Sequence, residues 1–512
     1  MHFARSRPLV LLAAIAAMFL SPPCYAAGNE QLTIKVTDRD TGKPLAVRMH
    51  LKNAKGVAVK PPKVPFWKDH FVFDGEITLK LPRGNYTFEM ERGPEYLDRS
   101  GYFTIEPFAN DTKEIDMKRF VDMAKSGWYA GDLHVHRPLD EIELLMRAED
   151  LHVAPVITWW NAKNTWTGKT PPENRLVNFD GNRFYHVMAG EDERKGGALM
   201  FFNLDEPLDV AAAKPEYPSA MKYLLAAKEH PSAHVDAEKP FWWDFPVWLA
   251  SGKLDSVGLA NNHLHRSGVM DNEAWGKPRD RTLFPAPRGN GRWSQEIYYH
   301  VLNCGIKLPP SAGSASGVLP NPVGYNRVYV HVDGDLTWDK WFEGLRAGRV
   351  VVTNGPLIIP NVEGKLPGHT FQADAGETVE LEVGLTMATR EKVEYLEVVQ
   401  NGRVTSEVRL DDWKKAGGKL PPVRFDHSGW FLIRAVTNAK NTYRFASTGP
   451  YYVQVGYEKR ISHASAQFFL DWVRERMKQI ELPDAAEQRE VLQFHQAAEA
   501  YWQKLVDEAN AE

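Results

Sequence analysis

Residues 127–141 read GWYAGDLHVHRPLDE, and this short stretch decides the fold that we expect. Residues 128–135 alternate like a β-strand that runs into a loop before Pro138. Side chains two apart on a strand point to the same face, so His134 and His136 would aim their imidazoles at one point. Two adjacent neutral imidazoles suit a divalent metal ion. The alternative is a pair of partly buried histidines that are satisfied by backbone and carboxylate groups.

Apolar strands alternate with amphipathic helices throughout residues 119–358. The segments DEIELLMRAEDL, SAMKYLLAAKEH and TWDKWFEGLRAG have the spacing of helices, whereas VAPVITWW, RFYHVMAGEDE and LDSVGLANNH have the pattern of strands. This alternation predicts a β/α barrel or an α/β sheet. In a β/α barrel the functional site lies at the C-terminal ends of the strands.

Polar side chains are concentrated at those predicted strand ends. Glu191 ends FYHVMAGE, His234 and Asp236 lie in SAHVDAE, and His263 follows LDSVGLANN. Together with the histidine pair of the first strand, they would converge on one rim of a barrel. This convergence predicts a metal site or a polar ligand site at that rim.

Strand patterns and a helical segment flank this region. Residues 28–118 alternate in short runs separated by turn residues, which predicts a β-sandwich similar to carboxypeptidase-regulatory-like modules. Residues 359–457 return to strand patterns with a QNGR hairpin turn, which predicts an immunoglobulin-like β-sandwich. Residues 458–512 have helical spacing interrupted by Pro483, which predicts a helical hairpin packed on the body.

The N-terminus has the pattern of an export signal. A basic start at Arg5 and Arg7, an apolar run and a small-residue end predict a signal peptide over residues 1–26. Its removal takes Cys24 away and leaves Cys304 alone, so no intramolecular disulfide is expected. We expect an exported protein, periplasmic or extracellular, with no integral membrane segment after signal removal.

Composition and charge narrow the class of partner. Of 512 residues, 43% are hydrophobic and 25% are charged, which is typical of a globular protein. A formal net charge of −4 gives no electrostatic case for nucleic acid or an anionic membrane. The expected partner is a small-molecule or glycan-derived substrate, because aromatic side chains near strand ends suit a sugar or an aromatic ester. Several tryptophans near predicted strand ends would either form a stacking wall for such a ligand or pack the barrel against a sandwich. They are Trp159, Trp160, Trp242 and Trp243.

Four segments, GDLHVHR, AGEDER, ANNHLHR and RAGRVVVTNGPL, together resemble the PHP-type metallohydrolases, and most closely their CehA/McbA branch. The resemblance covers residues 119–358, and DLHVH and GRVVVTNGP are its most specific parts. It implies a distorted β/α barrel of TIM type with a metal cluster at its C-terminal mouth. It also implies cleavage of phosphoesters and, in this branch, of carbamates and other esters.

The resemblance assigns roles to individual residues. His134 and His136 match the opening ligand pair, Glu191 matches the carboxylate that usually bridges two metals, and His234 falls where a further histidine often stands. A full trinuclear cluster is not expected, and His263 or its neighbour His265 could compensate. The expected ligands are replaced at three places, by Trp159 and Trp160, by Gly197 and Ala198, and by Ser314, Ala315 and Ser316.

The remaining ligands would form a mononuclear site for Zn²⁺, Mn²⁺ or Fe²⁺. They are His134, His136, Glu191 and one of His234 or His263. The expected function is an exported hydrolase that cleaves an ester, phosphoester or carbamate bond with a metal-activated water. The alternative is a catalytically degenerate PHP-like barrel that binds carbohydrate or another small ligand.

Other polar residues would support this chemistry. Asp236 could act as general base or could orient a ligand. Lys239 or Arg266 could hold an anionic group or stabilise a developing oxyanion, with a surface ion pair as the alternative. Asp132 or Asp140 could orient a ligating imidazole, although Asp140 also fits a helix N-cap.

Overall fold

The computed structural model describes residues 30–512, and the predicted signal peptide lies outside these residues. The described residues form a strand-rich mixed α/β fold with thirty strands and eight α-helices. None of these helices is both long enough and apolar enough to cross a lipid bilayer.

The first eight strands form two sheets that share one core. They are β1 (Gln31–Asp38), β2 (Ala46–Asn53), β3 (Phe66–Trp67), β4 (His70–Asp74), β5 (Glu76–Lys80), β6 (Gly84–Glu91), β7 (Arg99–Ile105) and β8 (Asn110–Met117). The strand orders are β5-β1-β8 and β3-β4-β2-β6-β7. Leu32, Ile34 and Val36 of β1 are buried at every second position and pack in the same cluster as Met49 and Phe71 of the other sheet. This arrangement is compatible with the predicted sandwich.

The middle of the chain alternates strands with helices. The elements are β9 (Trp128–Gly131), α1 (Ile142–Ala148), β10 (Val153–Trp160), β11 (Lys163–Asn164), β12 (Leu176–Phe179), β13 (Arg183–Arg194), β14 (Gly197–Phe202), α2 (Ala220–Ala227), β15 (His234–Ala237), α3 (Phe245–Ala250), β16 (Ser256–Ala260), β17 (Leu264–His265), β18 (Gly268–Val269), α4 (Gly289–Asn303), β19 (Pro310–Ala312), β20 (Arg327–His331), α5 (Trp338–Arg346) and β21 (Val350–Thr353). The expectation of a mixed α/β fold is confirmed.

Most of these strands share one sheet, in the order β19-β16-β15-β14-β13-β10-β9-β20-β21. The sheet is mixed, because β13, β14 and β15 pair antiparallel while β10 and β13 pair parallel. Only two residues separate β13 from β14, and so short a connection makes a hairpin, not a parallel crossover. Within residues 30–512 the pairings between strands do not close this sheet, and the predicted TIM-type barrel is not shown.

Residues 133–136 continue beyond β9 and lie between two other parts of the sheet. Val135 forms parallel bridges to Val156 of β10 and to Ser316. The Val135 carbonyl accepts a hydrogen bond from β10 at 2.8 Å, and His136 N donates to Ser316 O at 2.8 Å. The predicted strand is thus shorter than expected, but its last residues are still held on both sides by backbone hydrogen bonds.

The next strands divide between an extension of the central sheet and a separate sheet. They are β22 (Leu357–Val362), β23 (Thr370–Ala373), β24 (Val379–Ala388), β25 (Val393–Gln400), β26 (Arg403–Val408), β27 (Lys419–Phe425), β28 (Gly429–Thr437), β29 (Phe445–Thr448) and β30 (Tyr451–Val455), with α6 (Leu410–Lys415) before β27. β21 pairs antiparallel with β29, so hydrogen bonding continues from the central strands into this region. A separate sheet has the order β22-β24-β27.

Two helices end the chain, α7 (His463–Met477) and α8 (Ala485–Asp507). They pack against α3, where Trp502 Nε1 donates to the Pro246 carbonyl at 3.0 Å. A buried ion pair also joins α7 to the residue before α3, since Arg476 Nε donates to Asp244 Oδ1 at 2.7 Å. These contacts fix the helical hairpin to the body of the protein.

Candidate metal centre

Three side chains converge, two from residues just beyond the end of β9 and one from the last four residues of β13. His134 Nε2 and His136 Nε2 lie 3.1 Å apart. Glu191 reaches the same point, with Oε2 3.2 Å from His136 Nε2 and Oε1 3.6 Å from His134 Nε2. Two ligands at about 2.05 Å from a tetrahedral Zn²⁺ are about 3.3 Å from each other. The observed spacing therefore fits a single ion between the three side chains.

The charges around this group favour a cation. Burial disfavours protonation of His134, but the charges of Glu191 and Glu238 outweigh it and raise the pKa of His134 to about 10. Burial alone would raise the pKa of Glu191, whereas His134 and His136 hold it far below its ordinary value. Two buried carboxylates thus stabilise positive charge between them, and a divalent ion would supply that charge.

Glu238 is the fourth polar group of this cluster and lies one residue beyond β15. Its Oε1 is 3.6 Å from His134 Nδ1. Its other oxygen forms an ion pair with Lys239, whose Nζ lies 4.3 Å from the centre of the Trp242 ring. The side chains of Glu238 and Lys239 are both buried. Lys239 therefore fixes Glu238 beside His134 and does not point into solvent.

Glu193 is an exposed carboxylate beside the group. It lies two residues beyond Glu191 on β13, and therefore on the same face of the strand. The sequence analysis missed this residue, although the period of two in AGEDER could have indicated it.

Two residues of β15 make other contacts than those predicted. His234 Nε2 lies 2.7 Å from Ser256 Oγ, and burial lowers the pKa of His234 to about 4. Its ring also packs on Phe342 with the ring centres 5.2 Å apart. Asp236 Oδ2 accepts hydrogen bonds at 2.5 Å from Ser256 and Ser311, and burial raises its pKa to about 7. His234 belongs to this buried network and not to the converging ligands.

His263 and Arg266 do not join the ligand group either. His263 packs on Phe241 with ring centres 5.4 Å apart, and burial and the charge of Lys239 lower its pKa. Arg266 pairs instead with the N-terminal sheet, where its Nη2 donates to Glu91 Oε1 at 2.7 Å. His263 thus packs in the core, and Arg266 forms an ion pair, which is the alternative predicted for it.

The two aspartates expected to orient imidazoles have other roles. Asp132 organises the loop, because its Oδ1 accepts from His134 N at 3.0 Å and from Ser314 N at 3.0 Å, and its Oδ2 from Gly324 N at 2.7 Å. Asp140 is exposed in a 3₁₀ turn, and the N-cap residue of α1 is Glu141, which makes no side-chain cap hydrogen bond. Asp132 therefore positions the His134 backbone and not an imidazole.

Two of the three places at which expected metal ligands are replaced are occupied by packed side chains or by a glycine under a packed side chain. Trp159 is completely buried, while Trp160 meets His136 edge-on with ring centres 5.0 Å apart. A Cβ on Gly197 would lie 2.4 Å from the Trp242 side chain, so no larger residue fits there. Trp159 and Trp242 thus pack in the core, and Trp160 is the tryptophan placed beside a candidate ligand.

A second group of potential ligands lies in the N-terminal sheets. His50 Nδ1 is 3.2 Å from Asp69 Oδ2, and His70 Nδ1 is 3.1 Å from Asp69 Oδ1. Arg48 Nη1 lies 2.9 Å from His50 Nε2, and a guanidinium can only donate. The Nε2 of His50 must then accept, so its Nδ1 carries a proton and has no lone pair for a metal. We therefore place the candidate metal at the first group.

No protein-family model and no curated protein matches the chain. The resemblance to the PHP-type metallohydrolases therefore stays a prediction from the motifs. The converging side chains of His134, His136 and Glu191 are the feature that indicates a function.

Proposed function

We propose that the chain is a metal-dependent hydrolase that holds a divalent ion with His134, His136 and Glu191, while Glu238 orients His134 through Nδ1. The observation that carries this proposal is the 3.1 Å approach of two Nε2 atoms with both oxygens of Glu191 beside them. A cation between the two Nε2 atoms would supply the positive charge that the buried carboxylates Glu191 and Glu238 favour at His134. Imidazole and carboxylate donors suit Zn²⁺, Mn²⁺ and Fe²⁺.

Residues beside the ligands would position the metal group and transfer protons. When bound, the ion would acidify a water molecule and polarise the scissile carbonyl or phosphoryl oxygen. Lys239 would act as a positioning residue, because its ion pair fixes Glu238 against His134. Glu193, which is exposed beside the buried ligands, would exchange the proton with solvent. The proposed substrates are esters, phosphoesters or carbamates of a small molecule.

A PHP-like arrangement of strands is part of the same proposal. Residues 133–136 are hydrogen-bonded to β10 on one side and to the segment after β19 on the other. In the sheet order β19 is an edge strand, so this segment links an edge of the sheet to its middle. Such a link supports a curved, barrel-like sheet around the ligands, as the DLHVH motif predicts.

The first test is metal analysis of the purified protein beside a His134→Ala, His136→Ala double variant. We expect one equivalent of a transition metal in the wild type and loss of it in the variant. A His427→Ala, His463→Ala variant is the matched control, since both of these histidines are exposed. Wild-type protein that stays metal-free after incubation with Zn²⁺, Mn²⁺ and Fe²⁺ would refute the proposal.

The second test measures turnover of the metal-loaded protein on aryl esters, aryl phosphodiesters and aryl carbamates. We expect hydrolysis of one class and its loss in Glu191→Gln. The buried Trp159 and the tight contact at Gly197, which replace expected ligands, favour a second candidate, a degenerate barrel that binds carbohydrate. Bound metal without turnover in any class, together with saturable sugar binding, would select this second candidate.

A further inference from the structure

A cavity of about 260 Å³ lies where the N-terminal sheets, the central sheet and the C-terminal strands meet. Its wall includes Gly93 from the first region, Gly324 from the second and Glu391 from the third. The proposed metal ligands do not line it, so it is a separate feature of the molecule. Five arginines do line it: Arg48, Arg266, Arg327, Arg390 and Arg444.

The guanidinium groups outnumber the carboxylates of this wall. Five arginines line the wall with four acidic residues, and Glu89, outside the wall, also pairs with Arg266. Glu91 alone accepts from Arg48 at 3.0 Å, from Arg266 at 2.7 Å and from Arg390 at 3.3 Å. Glu91 thus bridges three guanidinium groups, and Glu89, Glu149 and Glu391 each pair with at least one of the five arginines as well. The acidic residues are Glu91, Asp98, Glu149 and Glu391.

Two donors of this wall lack a partner among the described residues. Arg390 Nη1 and Arg444 Nε are buried and make no hydrogen bond to residues 30–512. A buried donor on a charged group is costly when it is left unpaired. The two side chains are 18% and 20% exposed, so the donors lie near an opening to solvent. Gly355 also lines the cavity and leaves the space beside Arg444 free of a side chain.

The rear of the cavity is held rigidly. The side chains of Arg48 and Arg327 are 3% and 2% exposed. Arg48 Nε donates to Glu149 Oε1 at 2.6 Å, and Arg327 Nε donates to Gly324 O at 2.6 Å. Guanidinium groups fixed in this way present planar forks that match the oxygens of carboxylate and phosphate.

We propose that this cavity binds a small oxyanion, a phosphoryl or carboxylate group, between Arg390 and Arg444. The site is distinct from the metal group and does not depend on the proposed hydrolase activity. A bound anion would accept hydrogen bonds from the two unpartnered donors, Arg390 Nη1 and Arg444 Nε. It would also join three parts of the chain that contribute one arginine or more each, so binding would stabilise the folded protein.

The test is calorimetric titration of the full protein with inorganic phosphate and, separately, with succinate, in Tris chloride at constant ionic strength. We expect saturable binding of at least one anion and a rise in the melting temperature. Arg390→Gln should weaken binding about tenfold or more, because it removes a charge-assisted hydrogen bond. Arg403→Gln is the control, since Arg403 is exposed and does not line the cavity.

The outcomes separate the alternatives. Binding of phosphate alone assigns a phosphoryl ligand, and binding of succinate alone assigns a carboxylate ligand. Absence of saturable binding to both would overturn the proposal and leave the arginines as a cross-link between regions. Loss of binding in the His134→Ala, His136→Ala variant would also overturn it, by placing the anion at the metal group. If Arg390→Gln is unstable, Arg390→Lys, which keeps the charge but loses the guanidinium fork, is the folded comparison. Anion binding by Arg390→Lys as tight as by the wild type would count against the site.

Discussion

Replacement of Gly190 by alanine should destabilise the protein strongly, because Trp159 covers this glycine across two paired strands. Gly190 of β13 lies opposite Trp159 of β10 in the sheet register. A Cβ at Gly190 would lie 2.0–2.2 Å from three ring atoms of Trp159. Ordinary carbon contacts are about 3.5–4.0 Å. The ring would have to move by more than 1 Å, or the two strands would have to separate.

The size of the expected destabilisation follows from the tight packing of the Trp159 ring. Trp159 is completely buried and stacks on Phe201 with ring centres 5.8 Å apart. Overpacking of a close-packed core costs about 1–3 kcal/mol. Expulsion of the ring would approach the about 3–5 kcal/mol that Trp→Ala costs. We expect Gly190→Ala to reduce the free energy of unfolding by about 3 kcal/mol. Metal affinity should fall as well, since Glu191 is the next residue.

The assay is urea unfolding of Gly190→Ala beside Gly384→Ala. Gly384 lies on β24, and its added Cβ would meet its nearest neighbour, Asn361 O, at an ordinary 3.4 Å. The control should change the free energy of unfolding by about 0.5 kcal/mol or less. In a Trp159→Ala background the cost of Gly190→Ala should largely disappear, because the clash is with that ring. Equal costs for the two glycine variants would show that the reasoning about Trp159 is wrong.

Three further predictions concern the ligand group, pH and the C-terminal helices. Glu238→Gln should weaken metal binding about tenfold in chelator competition, as loss of a ligand's polar partner typically does, whereas His234→Ala should leave the metal content unchanged. Burial lowers the pKa of His300 from 6.5 to about 4. Between pH 4 and pH 6.5 the folded state therefore binds fewer protons than the unfolded state, so the free energy of unfolding should fall as the pH drops through this range. His300→Gln should make that fall shallower by up to about 1.4 kcal/mol per pH unit in urea titrations, and an unchanged slope would contradict the assignment. Arg476→Ala should cost about 3 kcal/mol in urea unfolding, because it leaves the buried Asp244 carboxylate without its guanidinium partner, whereas the half-exposed Arg474→Ala should cost little.

The core of the candidate site could be predicted from local pattern. His134 and His136 are two residues apart beyond an apolar strand, and Glu191 ends another one. β10 lies between those two strands and pairs parallel with both, so their C-terminal ends meet at one edge. The period of the strand and the parallel pairing are both visible as sequence patterns, and together they bring the three side chains together.

Other residues could not be assigned from the sequence, because distant partners decide their positions. His234 and Asp236 have the same strand-end pattern as the ligands, yet the hydroxyls of Ser256 and Ser311 hold them in a buried network. Arg266 follows the predicted rim but pairs with Glu91, 175 residues earlier in the chain. The local periodicity of the sequence predicts the strand face on which a side chain lies. It does not predict the partner of that side chain, which depends on tertiary contacts.

The C-terminal helices support a hairpin of the central sheet and, through this hairpin, the candidate site. The short turn at Gly196 makes β13 and β14 a hairpin, and this hairpin carries Glu191. Gly196 O accepts from Asp244 N at 2.9 Å, and a Cβ on Gly196 would collide with the Asp244 carboxylate. Asp244 is in turn held by Arg476 of α7 at 2.7 Å and lies 3.3 Å from His495 of α8. The last two helices thus brace the turn that positions a candidate metal ligand, and removal of these helices should loosen the metal group even though they contribute no ligand to it.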